Sequence, residues 1–274
     1  PQYTSLDIKD VKQQGNDNRT YRLGTDMLIR IPTSETYALK VPVEQNFLPQ
    51  LQSHLTYRIP RPLNEGKACD LLPYPFSIYR WLDGDSLNLL DTNDIDQIRL
   101  SNDLANFLKQ LQSIQDINGP QPGQHNWYRG DHVNVYEHGA REQIANLSKL
   151  IDPHKALKLW EDACNTRWSH PPVWIHGDMA AGNMLLRDGK LHAIIDFGGM
   201  AMGDPACDLT ICWTIFRGDA RQNFINKLPI DDNTWLRAKA WALWKATFEL
   251  CNEKNKSSQY AQKQIGIIQD TLNT

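Results

Sequence analysis

Apolar positions recur with a helical period over the second part of the chain. Between Leu100 and Ile114 they fall at i, i+4, i+7, i+8, i+11 and i+14, which predicts one buried face of a helix. Helical periodicity resumes near residues 132–150, 154–166, 206–216, 219–227, 233–252 and 257–272. A second predicted buried stripe, in the 233–252 segment, consists of Trp241, Trp244, Phe248 and Cys251. This part of the chain is therefore expected to be a set of packed helices.

The first part of the chain shows shorter apolar runs that end at turn residues. Met27–Ile31 stops at Pro32, and Phe76–Leu82 stops at an Asp-Gly pair, so both runs predict strands. Residues 43–55 predict one helix, which carries Glu44. The pattern here indicates a sheet accompanied by a single helix.

The change of pattern divides the chain into two lobes. We expect an α+β fold in which residues 1–81 form a small β-rich lobe and residues 82–274 form a larger helical lobe. A length of 274 residues suits such a two-lobed protein with a functional site in the cleft between the lobes.

Composition and charge exclude several classes of protein. Apolar residues make up 41% and charged residues 22%, and the net charge of −3 gives no reason to expect nucleic-acid binding. No apolar run reaches the roughly 18 residues of a membrane-spanning helix, and no signal peptide is recognisable. The five cysteines are odd in number and include no C-x-x-C pair, so we expect free thiols in the cytoplasm. We expect a monomer or a homodimer.

Two polar motifs follow apolar strands in the helical part. Asp178, in His-Gly-Asp, lies five residues before Asn183, and Asp196, in Asp-Phe-Gly, lies eighteen residues after Asp178. This is the spacing of a phosphoryl-transfer catalytic loop and its metal-binding partner. Asp178 can align a hydroxyl for attack on phosphorus, while Asn183 and Asp196 offer the hard oxygen ligands that Mg²⁺ prefers. His176 is expected to hold the loop. The sequence therefore predicts a kinase that uses Mg²⁺ and a nucleotide.

A kinase also needs a cation for the nucleotide phosphates, paired with a glutamate on a helix. Arg30 lies within a predicted strand, fourteen residues before Glu44, which leaves room for a turn and a helix start. Lys40 lies only four residues before Glu44, so we favour Arg30, whose guanidinium is always charged and can bind a phosphate with two donors. A Gly-rich phosphate loop is missing, and Gly15–Arg19, with Asn18, occupies its place.

Two aspartates follow the second motif, within Gly203–Leu209. Asp204 precedes Pro205, which is typical of a helix N-cap with proline in the first turn, and Asp204 is also a candidate to face the acceptor. Asp208 lies in the first turn of the same segment. From there its carboxylate can accept hydrogen bonds from the catalytic loop.

Together these motifs resemble those of the aminoglycoside phosphotransferase family, whose protein-kinase-like fold is shared with choline and homoserine kinases. The matching segments are Gly15–Thr20, Arg30–Pro32, Tyr79–Gly84, His176–Asn183, Ile195–Gly198 and Gly203–Leu209. The resemblance runs from about residue 15 to about residue 250, and Trp241–Lys245 also fits it. One departure is the Met-Ala-Ala after Asp178, where the family often has Leu-His-Pro.

The resemblance implies a role for each residue of the two motifs. Asp178 is implied as the catalytic base, with Asn183 and Asp196 as the Mg²⁺ ligands. Arg30 is implied as the phosphate-binding cation, with Glu44 as its partner. Since all five residues are present, we expect an active enzyme.

The resemblance also implies where the nucleobase and the acceptor bind. The backbone at Arg80, Trp81 and Leu82 is expected to be the hinge that holds the base of ATP or GTP. Amino-sugars are acceptors in the family, and residues 82–175 carry five more acids than bases, so we expect a small cationic acceptor such as an aminoglycoside. The candidate acceptor wall consists of Asp204, Asp219 and Glu249.

Other functions remain open at this point. A kinase of another hydroxylated metabolite or of a macrolide has the same catalytic requirements. A protein kinase is disfavoured by the missing Gly-rich loop and the missing A-P-E segment. A nucleotide-binding pseudokinase scaffold is disfavoured by the intact Asp178, Asn183 and Asp196. A metal-dependent phosphatase would need a closer cluster of carboxylates and histidines.

Overall fold

The first part of the chain forms an antiparallel five-stranded sheet in the computed structural model, which describes residues 3–12, 14–91 and 94–274. Its strands are β1 (Ile8–Asp10), β2 (Asn18–Leu23), β3 (Met27–Pro32), β4 (Pro62–Gly66) and β5 (Phe76–Arg80). Their order in the sheet is β1-β2-β3-β5-β4. Arg30, on the central strand β3, is paired in register with Thr20 on β2 and Ser77 on β5. The phosphate-binding candidate is thus fixed from both sides by the sheet.

Two helices, α1 (Glu35–Ala38) and α2 (Lys40–Gln52), follow β3. The longer helix α2 buries Glu44 and a set of apolar side chains that includes Leu48. It begins at Lys40 rather than at residue 43, because Pro42 falls in the first turn, where a missing backbone N–H costs no hydrogen bond. Lys40 is therefore on a helix and not on a strand.

Two smaller sheets carry the predicted catalytic motifs. One pairs β7 (Val173–Ile175) with β10 (Ala201–Gly203), and the other contains β6 (Asp85–Ser86), β8 (Met184–Arg187) and β9 (Lys190–Ile194). Asp188 and Gly189 connect β8 to β9, both with positive φ, as a tight hairpin turn requires. Asp178 follows β7 and Asp196 follows β9, so each motif extends from the end of a strand.

The rest of the chain is mostly helical, and its core lies between the helices. They are α3 (Gln97–Gln112), α4 (Glu137–Asn146), α5 (Pro153–Cys164), α6 (Ile211–Thr214), α7 (Gly218–Lys227), α8 (Asp232–Asn252) and α9 (Gln259–Asn273). The predicted face of α3 is buried, with Leu104, Phe107, Leu108 and Leu111 fully shielded from solvent. Aspartates cap α3, α5 and α8, and a serine caps α9, through side-chain bonds to backbone N–H groups.

Three sequence predictions need correction. The helix expected over residues 206–216 is a 3₁₀ helix over Pro205–Thr210 followed by the short α6. The 132–150 segment likewise begins with a 3₁₀ turn over Val133–Tyr136 before α4. Phe248 is 46% exposed rather than buried, because it stacks on the outer side of Trp244 and not against the core.

The five-stranded sheet and α2 come from residues 8–80, and most elements beyond them are helical. We propose that the two lobes divide there, as residues 1–81 and 82–274. Among the described residues, no helix combines the length and the apolar character needed to cross a membrane.

Candidate active site

The backbone of the predicted catalytic loop is anchored by the buried Asp208. One carboxylate oxygen accepts from the backbone N–H of His176 at 2.8 Å, and the other accepts from that of Gly177 at 2.8 Å. The buried His176 accepts at Nδ1 from the N–H of Asp178, so its Nε2 carries the proton and donates to the carbonyl of Ile195 at 3.0 Å. Asp208 and His176 therefore position the loop, as predicted.

Gly177 allows this loop to lie directly against the Asp-Phe-Gly segment. Its φ is +82°, and a Cβ at this position would lie 2.1 Å from the carbonyl oxygen of Gly199. Only glycine combines that conformation with such a close backbone approach. The close packing brings Asp178 and Asp196 into the lining of one cleft.

Asp178 faces this cleft as an ionised carboxylate. Its Oδ1 lies 2.6 Å from Nζ of Lys245 on α8, and its Oδ2 lies 3.3 Å from Nδ2 of Asn183. Burial acts to raise the pKa of Asp178, but Lys245 and then Arg129 outweigh burial and hold that pKa well below the usual range of aspartate. So weak a base is suited to align a hydroxyl rather than to deprotonate it before attack.

Asn183 and Asp196 lie next to each other, since the N–H of Ile195 donates to the backbone carbonyl of Asn183 at 2.8 Å. The Asn183 amide donates to the backbone carbonyl of Asp178 at 2.9 Å, which leaves its Oδ1 as a free ligand atom. Arg30 outweighs the effect of burial and lowers the pKa of Asp196, which therefore stays ionised. One amide oxygen and one carboxylate fit Mg²⁺, which completes its shell with phosphate oxygens and water.

Among residues 3–12, 14–91 and 94–274, no group of three His, Cys, Asp or Glu side chains is placed to hold a metal ion. A Mg²⁺ ion held by only Asn183 and Asp196 would take its remaining ligands from nucleotide phosphates and water. The donor chemistry thus fits a metal that binds together with the nucleotide.

Arg30 connects the sheet, α2 and the Asp-Phe-Gly segment. Its Nη2 lies 2.9 Å from Oδ1 of Asp196, and its Nη1 lies 3.6 Å from Oε1 of Glu44. Glu44 is buried on α2 and accepts a hydrogen bond from the hydroxyl of Tyr79. Burial acts to lower the pKa of Arg30, but Asp196 and Glu44 raise it and outweigh burial, so the guanidinium stays charged. The structure therefore forms the cation–glutamate pair that the sequence predicts.

Lys40 contributes a second cation with different partners. Its Nζ lies 2.7 Å from Oδ2 of Asp17 and 4.0 Å from the ring centroid of Trp127. Asp17 belongs to the turn between β1 and β2, which is the segment expected to cover the phosphates, and the buried Asn18 begins β2. Lys40 thus connects this turn to an aromatic residue of the helical part.

The cleft is narrow in this conformation. Its lining residues surround a space of about 40 Å³ that is open to solvent, far below the roughly 300 Å³ of a small ligand pocket. The residues that line it are Asp17, Lys40, Trp127, Arg129, Gly177, Asp178, Asp196 and Gly199. The ion pair of Asp17 and Lys40 lies within this lining.

The predicted hinge lies at the end of β5, with Arg80 as the last residue of the strand and Trp81 and Leu82 after it. The backbone N–H of Arg80 donates to the carbonyl of Arg61 at 2.9 Å, and that of Trp81 donates to the carbonyl of Asp26 at 2.8 Å. These two N–H groups are therefore occupied by the sheet and do not face a nucleobase. The hinge role remains a proposal, and it rests on the backbone of Leu82 and on the carbonyl groups of the segment.

The three predicted acceptor residues do not form one wall. Asp204 is buried, caps the Pro205–Thr210 turn, and is bonded at 2.5 Å to Nε of Arg237. A carboxylate with these partners is not available to an acceptor, so the expected contact of Asp204 with the acceptor is corrected. The expected N-cap role of Asp204 is confirmed. Asp219 is exposed in the first turn of α7. Glu249, on α8, accepts a hydrogen bond from the hydroxyl of Tyr260 at 2.8 Å.

Sequence reasoning missed the two cations next to Asp178, which are Arg129 and Lys245. Lys245 interrupts an aromatic face of α8, with Trp241 four residues before it and Phe248 three residues after it. A single lysine on an otherwise aromatic helix face is the signal from which Lys245 could have been found. For Arg129 no such pattern exists, because it lies in an irregular segment between helices.

The fold is similar to that of solved phosphotransferases. An aminoglycoside 2'-phosphotransferase in complex with GDP has a TM-score of 0.71 at 17% identity, with 98% of this chain and 94% of that chain covered. An aminoglycoside phosphotransferase in complex with ADP and hygromycin B has a TM-score of 0.64 at 15% identity, with 99% of this chain and 95% of that chain covered. A macrolide 2'-phosphotransferase from Brachybacterium faecium has a TM-score of 0.58 at 18% identity, with 96% of this chain and 91% of that chain covered.

No curated protein matches the chain in sequence. A family model described as the phosphotransferase enzyme family matches residues 11–241, which is most of the chain and includes both catalytic motifs. The chain belongs to the phosphotransferase enzyme family.

Proposed function

We propose that the protein is a small-molecule kinase that transfers the γ-phosphoryl group of ATP or GTP to a hydroxyl group. The observation that carries this proposal is the placement of Asp178 and Asp196 at one cleft, with Asn183 bonded to Asp178 and Arg30 bonded to Asp196. Solved structures of similar fold contain GDP or ADP, which supports a nucleotide donor.

Each residue then has a chemical role. Asp178 accepts a hydrogen bond from the acceptor hydroxyl and directs it in line with the phosphoryl group. Asn183 and Asp196 would hold Mg²⁺, which when bound neutralises charge on the phosphate oxygens. Arg30, positioned by Glu44, donates hydrogen bonds to the phosphates. Asp208 and His176 keep the loop in place without contacting the substrate.

The acceptor is a hydroxylated small molecule, because the proteins of similar fold include aminoglycoside and macrolide phosphotransferases. The expected cationic acceptor rested on the family resemblance and on the acidic excess of residues 82–175, and of its three candidate wall residues Asp204 is neutralised by Arg237. Amino-sugars are therefore one class to test beside macrolides, neutral sugars and hydroxy acids.

The decisive experiment is an activity screen of these four classes with ATP and with GTP in the presence of Mg²⁺. Product is identified by mass as a phosphorylated acceptor, and Asp178→Asn serves as the control variant. We expect phosphorylated product from the wild-type protein and none above background from the variant. If the nucleotide binds but no acceptor is phosphorylated in any class, the protein is a nucleotide-binding scaffold and the kinase proposal is wrong.

A further inference from the structure

Two cations lie beside Asp178, although its carboxylate carries a single charge. Nζ of Lys245 lies 2.6 Å from Oδ1 of Asp178, and the Lys245 side chain is 25% exposed. Arg129 lines the same cleft and donates through Nη1 to the carbonyl of Gly177 at 3.3 Å. Around Asp178 itself the two cations therefore outnumber the one carboxylate, while the other charged side chains that line the cleft are Asp17, Lys40 and Asp196.

Among the described residues, Arg129 has no carboxylate in direct contact, although the charge of Asp178 acts on it across the cleft. In the described part of the chain no carboxylate forms an ion pair with it, and its Nε is buried without a hydrogen-bond partner. Its Cζ lies 5.4 Å from the ring centroid of Trp244 and 5.9 Å from that of Trp241. A guanidinium next to aromatic rings keeps its charge and its planar set of donors, so it can bind an anionic group with two hydrogen bonds.

The backbone that carries Arg129 is held in an uncommon conformation. Trp127 and Tyr128 precede it with φ values of +51° and +57°, a left-handed conformation that bulky side chains rarely adopt. The hydroxyl of Tyr136 donates to the carbonyl of Trp127 and fixes this turn. Such strained residues persist where the surrounding structure holds them, and they are frequent at ligand-binding sites.

An exposed aromatic surface lies one helical turn from Lys245. Phe248, at i+3 on α8, is 46% exposed and stacks on Trp244 with a centroid distance of 5.9 Å. Residues three and four apart share a helix face, so Phe248 flanks the lysine on the face that reaches Asp178. A flat apolar group of a ligand can stack on this ring while a charged group reaches the two cations.

We infer that Arg129 and Lys245 bind an anionic group of the acceptor, which is a hydroxylated molecule with a carboxylate or a phosphate group and a flat apolar face. This inference rests on the proposed kinase function and names its acceptor class. An acceptor with several ammonium groups would bring like charges to Lys245 and Arg129 inside a cleft where solvent screens them weakly. The expected preference for a cationic acceptor is therefore reversed at this site.

The test uses three probe molecules that share a benzyl alcohol and carry an anionic, a neutral or a cationic group in the para position. They are 4-(hydroxymethyl)benzoate, the neutral 4-(hydroxymethyl)benzamide and the cationic 4-(aminomethyl)benzyl alcohol. Binding of each to the full-length protein is measured by calorimetry with Mg²⁺ and a non-hydrolysable nucleotide present. A fourth probe, 4-(hydroxymethyl)phenyl phosphate, distinguishes a phosphate from a carboxylate as the preferred anion.

We expect the anionic probes to bind at least about tenfold more tightly than the neutral and cationic probes, since a charge-assisted hydrogen bond contributes about 1.5–3 kcal/mol. Lys245→Met should abolish most of this preference and leave the affinity for the neutral probe within about threefold. Lys245→Arg should retain the preference. Lys239→Met, on α8 but six residues away and off the Lys245 face, is the matched control and should behave as the wild type.

The inference is overturned if the neutral or cationic probe binds as tightly as the carboxylate, or if no probe binds while the nucleotide does. It is also overturned if Lys245→Met lowers turnover equally for all probes without changing their relative affinities, because the two cations would then serve only the transferred phosphoryl group. Failure to bind the nucleotide at all contradicts the kinase proposal instead, so the two failures are distinguishable. Circular dichroism of each variant confirms that it is folded.

Discussion

Nη2 of Arg30 lies 2.9 Å from Oδ1 of Asp196, although 166 residues separate them in the chain. The first residue belongs to the central strand of the sheet, and the second follows β9 in the Asp-Phe-Gly segment. This contact places the proposed phosphate-binding cation and the proposed metal ligand together. It also keeps both groups ionised, since each outweighs the effect of burial on the pKa of the other.

Replacement of Arg30 should impair nucleotide use more than replacement of Lys40. Arg30→Ala removes charge-assisted hydrogen bonds to the phosphates, and we expect kcat/KM for the nucleotide to fall roughly 10- to 100-fold. Lys40→Ala breaks the contact with Asp17 that narrows the cleft, so a smaller loss is expected. Steady-state kinetics with varied nucleotide compares the two variants. A larger loss in Lys40→Ala would show that the phosphates bind on the other cation.

Asp178→Asn should abolish turnover without weakening nucleotide binding. The amide retains the shape of the carboxylate but cannot accept the acceptor hydroxyl's hydrogen bond with a negative charge, so kcat should fall by about 10²–10⁴. Nucleotide affinity, measured by calorimetry, should stay within about threefold, because this side chain contacts Lys245 rather than Arg30, and Asn183 keeps its hydrogen bond to the backbone carbonyl of residue 178. Retention of more than about a tenth of the wild-type kcat contradicts the role.

Asp196→Ala should weaken binding of the Mg²⁺–nucleotide complex more than Asn183→Ala does. A charged oxygen ligand contributes more to a divalent cation than a neutral amide does. The variant Asp196→Ala also removes the nearer of the two carboxylates that pair with Arg30 and leaves Glu44. Calorimetric titration of a non-hydrolysable nucleotide, with and without Mg²⁺, separates the metal-dependent part. An unchanged affinity in Asp196→Ala would falsify the assignment of the metal ligand.

Asp204→Ala should destabilise the protein instead of changing acceptor preference. The buried carboxylate pairs with the guanidinium of Arg237, whose side chain is only 1% exposed. Removal of one partner of a buried pair leaves an uncompensated charge and costs about 3–5 kcal/mol of unfolding free energy. Urea unfolding measures this loss. Asp219→Ala, at an exposed helix start, is the control and should stay within about 0.5 kcal/mol of the wild type. A stable Asp204→Ala that loses acceptor binding would restore this residue to the acceptor wall.

The pH dependence of kcat should depend on Lys245. Because Lys245 and Arg129 hold the pKa of Asp178 below its usual range, protonation of this carboxylate should not limit the wild-type enzyme above about pH 5. In Lys245→Met burial then dominates, so the pKa of Asp178 rises and the acidic limb of the profile moves to higher pH. Rates measured between pH 5 and 9 in buffers of constant ionic strength compare the two proteins. Identical acidic limbs would mean that the ion pair does not control Asp178.

Several features of the fold could be predicted from local patterns. The periodicity between Leu100 and Ile114 placed α3 to within a few residues, and the extended runs placed β3 and β5. The start of α2 was predicted three residues late because a proline near a helix start reads as a helix breaker. Periodicity places Phe248 on the same helix face as Trp244, but it does not tell whether another element covers that face. Phe248 is in fact exposed.

By itself the sequence determined the element pattern and the chemistry of the two motifs, since helix faces, strand ends and motif spacings depend on residues that are close together in the chain. Only the tertiary structure decided which charges meet. Lys245 reaches Asp178 across 67 residues, and Arg237 occupies Asp204 across 33. Such pairings depend on how distant helices pack against the catalytic loop, which no local pattern encodes. For that reason the sequence predicts a phosphotransferase correctly, while the ion pairs of Asp178 and Asp204 follow from the fold.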